Sequence, residues 1–330
     1  MYKVVVADNE YPNLNPEREA FEELGLHIDL VDGQCTNEDE LIAAAGDADA
    51  IINLYNWITP RVIENLQKCK VIATYGIGVD KINIDAATKR GIYVCNNLRY
   101  NEYEVCDHTV AMILALNRQL VQSDRAVRRG VWGGLKLENR LFRPYGQTIG
   151  FVGFGRIAKQ IIEKMKVFGM NAICFDPYLS AEQCEAAGAK KVELDEVMSQ
   201  SDYVSINAPL NDATRHIVGE RELRLMKPTA YLVNCGRGAV VDEKAMIKVL
   251  QEKAIAGAAL DTCETEPVPV GHPLLDLDNV FITPHSAWYT WESMYLLQHY
   301  AARQAALVLA GQKPEYCVNY DAVQEVLKNK

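Results

Sequence analysis

Short apolar runs alternate with helical patterns along almost the whole chain, and this constrains the fold more than any other feature. Val4–Ala7, Ala50–Leu54, Val71–Tyr75 and Ile92–Cys95 read as buried strands, with helical stretches near 17–25, 37–45, 60–68 and 83–90 between them. Strands buried on both faces give continuous apolar runs rather than alternation, so the pattern predicts parallel sheets covered by helices. One helical pattern then runs from Glu102 to Arg129, with Val105, Thr109, Ile113, Leu116 and Leu120 on one face, and stops at Gly130-Val-Trp-Gly-Gly. A second series starts at Thr148. Thr148–Val152, Ala172–Phe175, Tyr203–Asn207, Ala230–Asn234, Ala256–Leu260 and Val280–Thr283 supply six strands, which suit a doubly wound nucleotide fold. The last residues return to a helix over about 292–311, then Pro314 and a polar tail.

With 330 residues, two domains are expected. The formal net charge of -10 argues against nucleic acid or an anionic membrane as partner, and an anionic substrate would need its own local positive charge. No run of eighteen uncharged apolar residues exists to span a membrane. The nine cysteines are scattered without metal spacing, so no metal is expected; buried reduced thiols fit a cytoplasmic protein. The N-terminal run Met1–Asp8 has no signal-peptide regions.

In the second series, Thr148-Ile-Gly-Phe-Val leads into Gly153-Phe-Gly155-Arg-Ile-Ala158 and a helix to Phe168. The first glycine makes a tight turn, and the second lets backbone N–H groups reach a pyrophosphate at the helix N-terminus. Asp176 lies eighteen residues past Ala158, at the end of the next strand. A carboxylate there accepts ribose hydroxyls and repels a 2′-phosphate, so NAD is expected.

Three later strand ends carry Asn234-Cys-Gly-Arg237, Asp261-Thr-Cys-Glu-Thr-Glu266-Pro and Thr283-Pro-His285-Ser-Ala-Trp288. Reduction of a 2-oxo acid needs a carboxylate clamp, a proton donor near neutral pH and a group that orients the donor. Arg237, His285 and Glu266 suit these roles in turn. Each alone could be an ordinary turn or loop residue; the coincidence of all three at strand ends is what points to catalysis.

These segments, with Tyr75-Gly-Ile-Gly-Val-Asp80, Gly-x-Trp132, Ala208-Pro-Leu and Met226-Lys-Pro, resemble the D-isomer-specific 2-hydroxyacid dehydrogenases over nearly the whole chain. His285-Ser-Ala-Trp288-Tyr and Glu315-Tyr-Cys-Val-Asn319 resemble the branch related to the C-terminal binding proteins. The resemblance implies two Rossmann-like or flavodoxin-like doubly wound domains with the active site in the cleft between them. Residues 1–101 and 294–330 would form the substrate domain and 102–293 the NAD-binding domain, the latter building a homodimer. It implies that Arg237, Glu266 and His285 are catalytic. Gly153, Gly155, Arg156, Ile157, Asp176, Ala208, Pro209, Thr214, Asn234, Cys235, Gly236, Asp261, His285 and Ala287, together with Ile77, would contact NAD. Gly76, Ile77 and Gly78 would offer backbone N–H groups to the substrate carboxylate, and Trp288 would border the substrate. Departures at Ile77, Asp107 and Cys235 bear on substrate preference rather than activity.

The loop Leu54–Thr59, with Tyr55 and Asn56, should also face the substrate, and it holds no Lys or Arg before Arg61. Trp57 and Trp288 suggest a neutral or partly apolar substrate such as glyoxylate, pyruvate, hydroxypyruvate or a larger aliphatic 2-oxo acid. Arg99 could swing toward the site, which keeps D-3-phosphoglycerate dehydrogenase as the alternative. An NADH-sensing binding protein of corepressor type is a reading of another class, set lower because every catalytic residue is present. Formate oxidation would leave the Glu266–His285 pair with little to do.

Overall fold

The computed structural model describes residues 1–98, 100–136 and 140–329. It divides the chain into two units, one formed by Met1–Asn101 with Thr290–Lys330 and the other by Glu102–Tyr289.

The first unit runs β1 (Tyr2–Val6), α1 (Asn15–Glu22), β2 (Ile28–Asp32), α2 (Glu38–Ala45), β3 (Ala50–Asn53), α3 (Pro60–Asn65), β4 (Val71–Thr74), α4 (Ile84–Arg90) and β5 (Tyr93–Cys95). The described strands form one parallel sheet in the order β2-β1-β3-β4-β5, that of flavodoxin-like folds. Every residue of β3 and β4 is buried, which is why both read as unbroken apolar runs. Strand β2 gave no such run because it is an edge strand in which only Leu30 is buried. Helices α2, α3 and α4 begin where Asn37, Thr59 and Asn83 accept a backbone N–H from the first turn.

The second unit continues with α5 (Glu102–Asn117), α6 (Leu120–Arg128), β6 (Thr148–Val152), α7 (Arg156–Met165), β7 (Asn171–Phe175), α8 (Ala181–Ala186), β8 (Lys190–Lys191), α9 (Leu194–Gln200), β9 (Tyr203–Ile206), α10 (Glu220–Leu225), β10 (Tyr231–Asn234), α11 (Glu243–Gln251), β11 (Gly257–Leu260) and β12 (Val280–Ile282). Its described strands lie parallel in the order β12-β11-β10-β9-β6-β7-β8, with the reversal of winding between β6 and β9. The sequence predicted six strands here; the seventh is β8, two lysines with no apolar signal. The helix expected over 102–129 is two helices. Asn117 is held by the Phe142 carbonyl and the Tyr203 hydroxyl, Gln119 turns left-handed at φ +47°, and α6 then runs on with no buried residue.

The chain returns to the first unit through α12 (Trp291–Leu309) and ends in α13 (Tyr320–Lys328). Thr290 caps α12, so this return begins before the expected residue 294. Helix α13 replaces the expected polar tail: Val323 is its buried anchor, and Tyr320 stacks on Tyr93 at 5.6 Å between centroids. Among the described residues no helix is long and apolar enough to cross a membrane.

Candidate active site

Strand β6 leads into Gly153, whose φ of +85° and tight surroundings both require glycine. A Cβ there would lie 2.6 Å from the backbone nitrogen of Ala208, in the loop after β9. Gly155 then begins α7, and no side chain caps the exposed N–H groups of its first turn. Those N–H groups and the helix dipole favour an anion in front of Arg156 and Ile157. Beside them stands Asp176, held by the Phe154 N–H on one carboxylate oxygen and the Tyr178 N–H on the other, each at 2.9 Å. Both oxygens keep further acceptor capacity for ribose hydroxyls. Arg156 pairs with Glu102 at 2.8 Å. On the far side Thr214 closes the Ala208–Thr214 loop by donating to the Pro209 carbonyl at 2.6 Å. An uncapped helix start, a glycine that admits close approach and a fixed acid on the neighbouring strand fit a dinucleotide.

At the ends of β10, β11 and β12 three loops support one another. Asn234 accepts the Gly236 N–H and donates to the Arg237 carbonyl, both at 3.0 Å, which shapes the turn that presents Arg237. Gly238 lets this turn lie on the next loop, since a Cβ there would overlap the Cys263 carbonyl carbon at 2.0 Å. That loop carries Glu266. One Glu266 oxygen accepts the Cys263 N–H at 2.9 Å, and the other meets His285 Nδ1 at 2.7 Å. Burial works to raise the Glu266 carboxyl. The hydrogen bond and charge of His285, the Cys263 N–H and the Arg237 guanidinium outweigh it and hold the group below the usual carboxylate range. With Glu266 ionised, Nδ1 of His285 donates and Nε2 is left to exchange a proton with a ligand.

His285 has a left-handed backbone, φ +52°, which no neighbouring residue type foretells. The residue that imposes it is Asp261, only 2% exposed. Its carboxylate accepts the Ser286 and Ala287 N–H groups, each at 2.9 Å, and the Thr283 hydroxyl at 2.6 Å. The Asp261 carbonyl takes the His285 N–H at 2.9 Å. His108, from α5, adds Nε2 at 3.1 Å to the Thr283 hydroxyl. Asp261, expected beside the nicotinamide, is thus also the organiser of the His285 turn, while Thr283 and His108 are site residues that sequence reasoning missed. Trp288 packs edge-on against Tyr289. The Cys235 thiol turns toward Thr109 and Met112 of α5, and burial pushes it up to about 12. It faces the core, which leaves its backbone as the part able to line a cofactor.

In the first unit, Asn96 and Asn97 hold the Ile77 and Gly76 carbonyls at 2.8 and 3.1 Å. Among the described residues no acceptor in the chain meets the N–H groups of Gly76, Ile77 and Gly78, so their donor capacity is unused within the chain. Asp8 fixes the neighbouring loop by accepting the Leu54 and Tyr55 N–H groups at 2.9 and 2.6 Å, and Asn56 donates to the Cys35 carbonyl. Tyr55, Asn56 and Trp57 line a cavity of about 680 Å³ with Asp8, Cys35 and Glu38. Lys81 Nζ lies 5.0 Å from the Tyr55 ring centre. The loop therefore has a cation beside it, which the run of residues 54–59 did not disclose. Arg99 lies outside the described residues.

A doubly wound sheet that ends in a glycine turn, a fixed carboxylate after the second strand and a paired histidine fits a nicotinamide-dependent oxidoreductase. Residues 110–287 match the family described as D-isomer specific 2-hydroxyacid dehydrogenase, NAD binding domain. The chain belongs to that family, whose members are NAD-dependent oxidoreductases of 2-hydroxy acids. It is 37% identical over 97% of its length to a D-3-phosphoglycerate dehydrogenase of Methanocaldococcus jannaschii, of which it spans 60%. It is also 37% identical to a glyoxylate reductase of Korarchaeum cryptofilum, over 86% of each chain. Among solved structures, the D-mandelate dehydrogenase of Rhodotorula graminis superposes with a TM-score of 0.85 at 26% identity, over 96% of this chain and 97% of that one.

Proposed function

We propose that the chain reduces a small 2-oxo acid with a neutral side chain, such as glyoxylate, hydroxypyruvate, pyruvate or a larger aliphatic acid. The observation that carries this reading is the 2.7 Å pair of His285 Nδ1 and Glu266, with Arg237 close enough to act on the same carboxylate. NAD, when bound, supplies the hydride as NADH. Arg237 clamps the substrate carboxylate, and Gly76, Ile77 and Gly78 add backbone N–H groups. His285, charged through Glu266, gives its Nε2 proton to the oxygen on C2, and in the reverse direction takes it back. Tyr55, Asn56 and Trp288 border the substrate side chain, so the unit of Met1–Asn101 and Thr290–Lys330 serves as substrate domain. The glycine turn with Arg156, Ile157, Asp176, Ala208, Pro209 and Thr214 holds the adenosine and pyrophosphate. Asp261 stands near the nicotinamide, Cys235 lines the adenosine and pyrophosphate, and Asn234, Gly236 and Ala287 complete the cofactor contacts.

One observation favours a second reading. Lys81 beside Tyr55 offers a cation to a second anionic group, as a 3-phospho-2-oxo acid would carry, and a D-3-phosphoglycerate dehydrogenase is among the relatives. A homodimer through the NAD-binding unit and a cytoplasmic location complete the proposal. The first is supported by the exposed apolar side chains of Trp132, Leu135, Phe142 and Tyr145, the second by nine free cysteines.

The test is NADH consumption by the purified protein across 2-oxo acids, 3-phosphohydroxypyruvate included, with His285→Ala as control. Turnover of a neutral acid supports the first reading, and turnover of the phosphorylated acid alone selects the second. Tight NADH binding with no reduction of any acid overturns both in favour of a nucleotide sensor.

A further inference from the structure

We propose that Cys95 and Cys317 are a redox pair that closes to a disulfide under peroxide, and that closure alters the Gly76–Gly78 loop next to it. Cys95 ends β5 and Cys317 lies opposite it as its partner in an antiparallel bridge. Directly opposed residues in such a bridge stand about 4.5–5.5 Å apart at Cα, inside the span of about 4.4–6.8 Å that a disulfide accepts. The Cys317 thiol donates to Asn319 Oδ1 at 3.4 Å, the same oxygen that accepts the Val94 N–H. The backbone around them is held on both sides, with Val318 N–H donating to the Val94 carbonyl at 2.9 Å and Val94 N–H to Asn319 Oδ1 at 2.8 Å. Closure therefore asks for side-chain rotation and little backbone movement.

Cys317 is half-buried and reachable, whereas Cys95 is fully buried. The Cys95 thiol, against the opposing effect of burial, and the backbone at Asn319 and Val94 favour the Cys317 thiolate. Cys317 is accordingly the sulfur that meets the oxidant. Its thiolate attacks hydrogen peroxide, giving a sulfenic acid and, with one proton, water. The Cys95 thiol then displaces the sulfenic oxygen as a second water, so two thiols lose two hydrogens to one peroxide. Cys174 and Cys184 also act on one another, but both are fully buried, which denies them the first step.

Asn96 and Asn97 follow Cys95 directly and are the residues that hold the Ile77 and Gly76 carbonyls. A covalent tie at Cys95 pulls on this support. The consequence for substrate rests on the role proposed above for the Gly76–Gly78 backbone; the cross-link itself does not.

The full-length reduced protein would be treated with hydrogen peroxide, alkylated, and mapped by mass spectrometry, alongside Cys317→Ala and Cys174→Ala. The expected result is a peptide joining Cys95 to Cys317, two hydrogens lighter than the reduced pair, reversed by dithiothreitol. It is lost in Cys317→Ala and retained in Cys174→Ala. Cys317 carried on to sulfinic acid with Cys95 still alkylatable overturns the pair. In oxidised protein the KM for the oxo acid is expected to rise while NADH affinity stays unchanged. A cross-link that forms without moving KM overturns the coupling to the loop. Protein that turns over no oxo acid overturns the proposed function instead, since the mapped cross-link is read without activity.

Discussion

His285 meets Glu266 at 2.7 Å through Nδ1 while its backbone sits at φ +52°, a conformation that non-glycine residues seldom take. Strain of this kind persists only where the surroundings impose it, and here Asp261 does so through three hydrogen bonds to the turn. The relationship aims Nε2 outward and fixes the tautomer. His285→Ala should lower kcat/KM for oxo-acid reduction by about 10²–10⁴-fold, the usual worth of a positioned acid. NADH binding, followed by fluorescence, should be unchanged. A His285→Ala protein with full activity would remove the acid role.

The depressed Glu266 carboxyl has a defined sign in pH. Its folded-state value lies below the ordinary one, so its contribution to stability is present above the ordinary carboxylate range and is lost as pH falls through the folded value. Glu266→Gln should therefore show less acid-induced loss of stability than the wild type over that window, as measured by thermal denaturation from pH 7 downward. The same variant should lower kcat for oxo-acid reduction and leave NADH affinity unchanged, because His285 Nδ1 loses its carboxylate partner. An identical kcat for both proteins would separate Glu266 from the proton transfer.

Asp261→Asn tests the support of the histidine turn. An amide can accept on one side only, so at least one of the Ser286 and Ala287 N–H groups loses its partner. A buried unsatisfied donor costs about 1–3 kcal/mol, and the cost should appear as a lower melting temperature. Because His285 is displaced rather than removed, kcat should fall more than NADH affinity. Unchanged stability and turnover would rule out Asp261 as the organiser.

Legibility in the sequence followed burial. Strands β9, β10 and β11 are buried along their whole length, and each reads as an apolar run. Edge strand β2 and the lysine pair β8 bury too little to leave a pattern, and the break at Gln119 follows from Asn117 contacting residues far along the chain. At the site, Arg237, Glu266 and His285 were recognisable because the chemistry demands those residue types after strands. The hydrogen bond of His108 to Thr283, 175 residues apart, and the grip of Asp261 on its turn exist only once the sheet has brought three loops together.

Asp176 gives a prediction about cofactor choice that separates charge from structure. Its Oδ2 accepts the Phe154 N–H at 2.9 Å, so truncation would disturb the glycine turn as well as the cofactor. Asp176→Asn keeps an acceptor there while removing the negative charge that opposes a 2′-phosphate. The ratio of kcat/KM for NADH over NADPH should fall, by about tenfold for each 1.4 kcal/mol of repulsion removed. A ratio that does not change would take Asp176 out of the selection between the two cofactors.

The last prediction concerns the apolar surface of the NAD-binding unit. Trp132 is 79% exposed, Tyr145 75% and Val167 85%, and Leu135 and Phe142 are exposed as well. Tyr145 lies against the segment that carries Val167, because its ring covers Gly169 so closely that a Cβ there would fall 2.3 Å from it. Exposed apolar side chains in this number cost solvation that a second copy would recover, at about 25 cal/mol for each Å² buried. A two-fold pairing would place the same patch of both subunits face to face. Light scattering should accordingly find two copies in the wild-type particle and one in a Trp132→Glu, Leu135→Glu variant. Near-ultraviolet circular dichroism should show the variant still folded, because both side chains lie outside the core. A wild type that runs as a single copy, or a variant that still pairs, would place the subunit contact elsewhere.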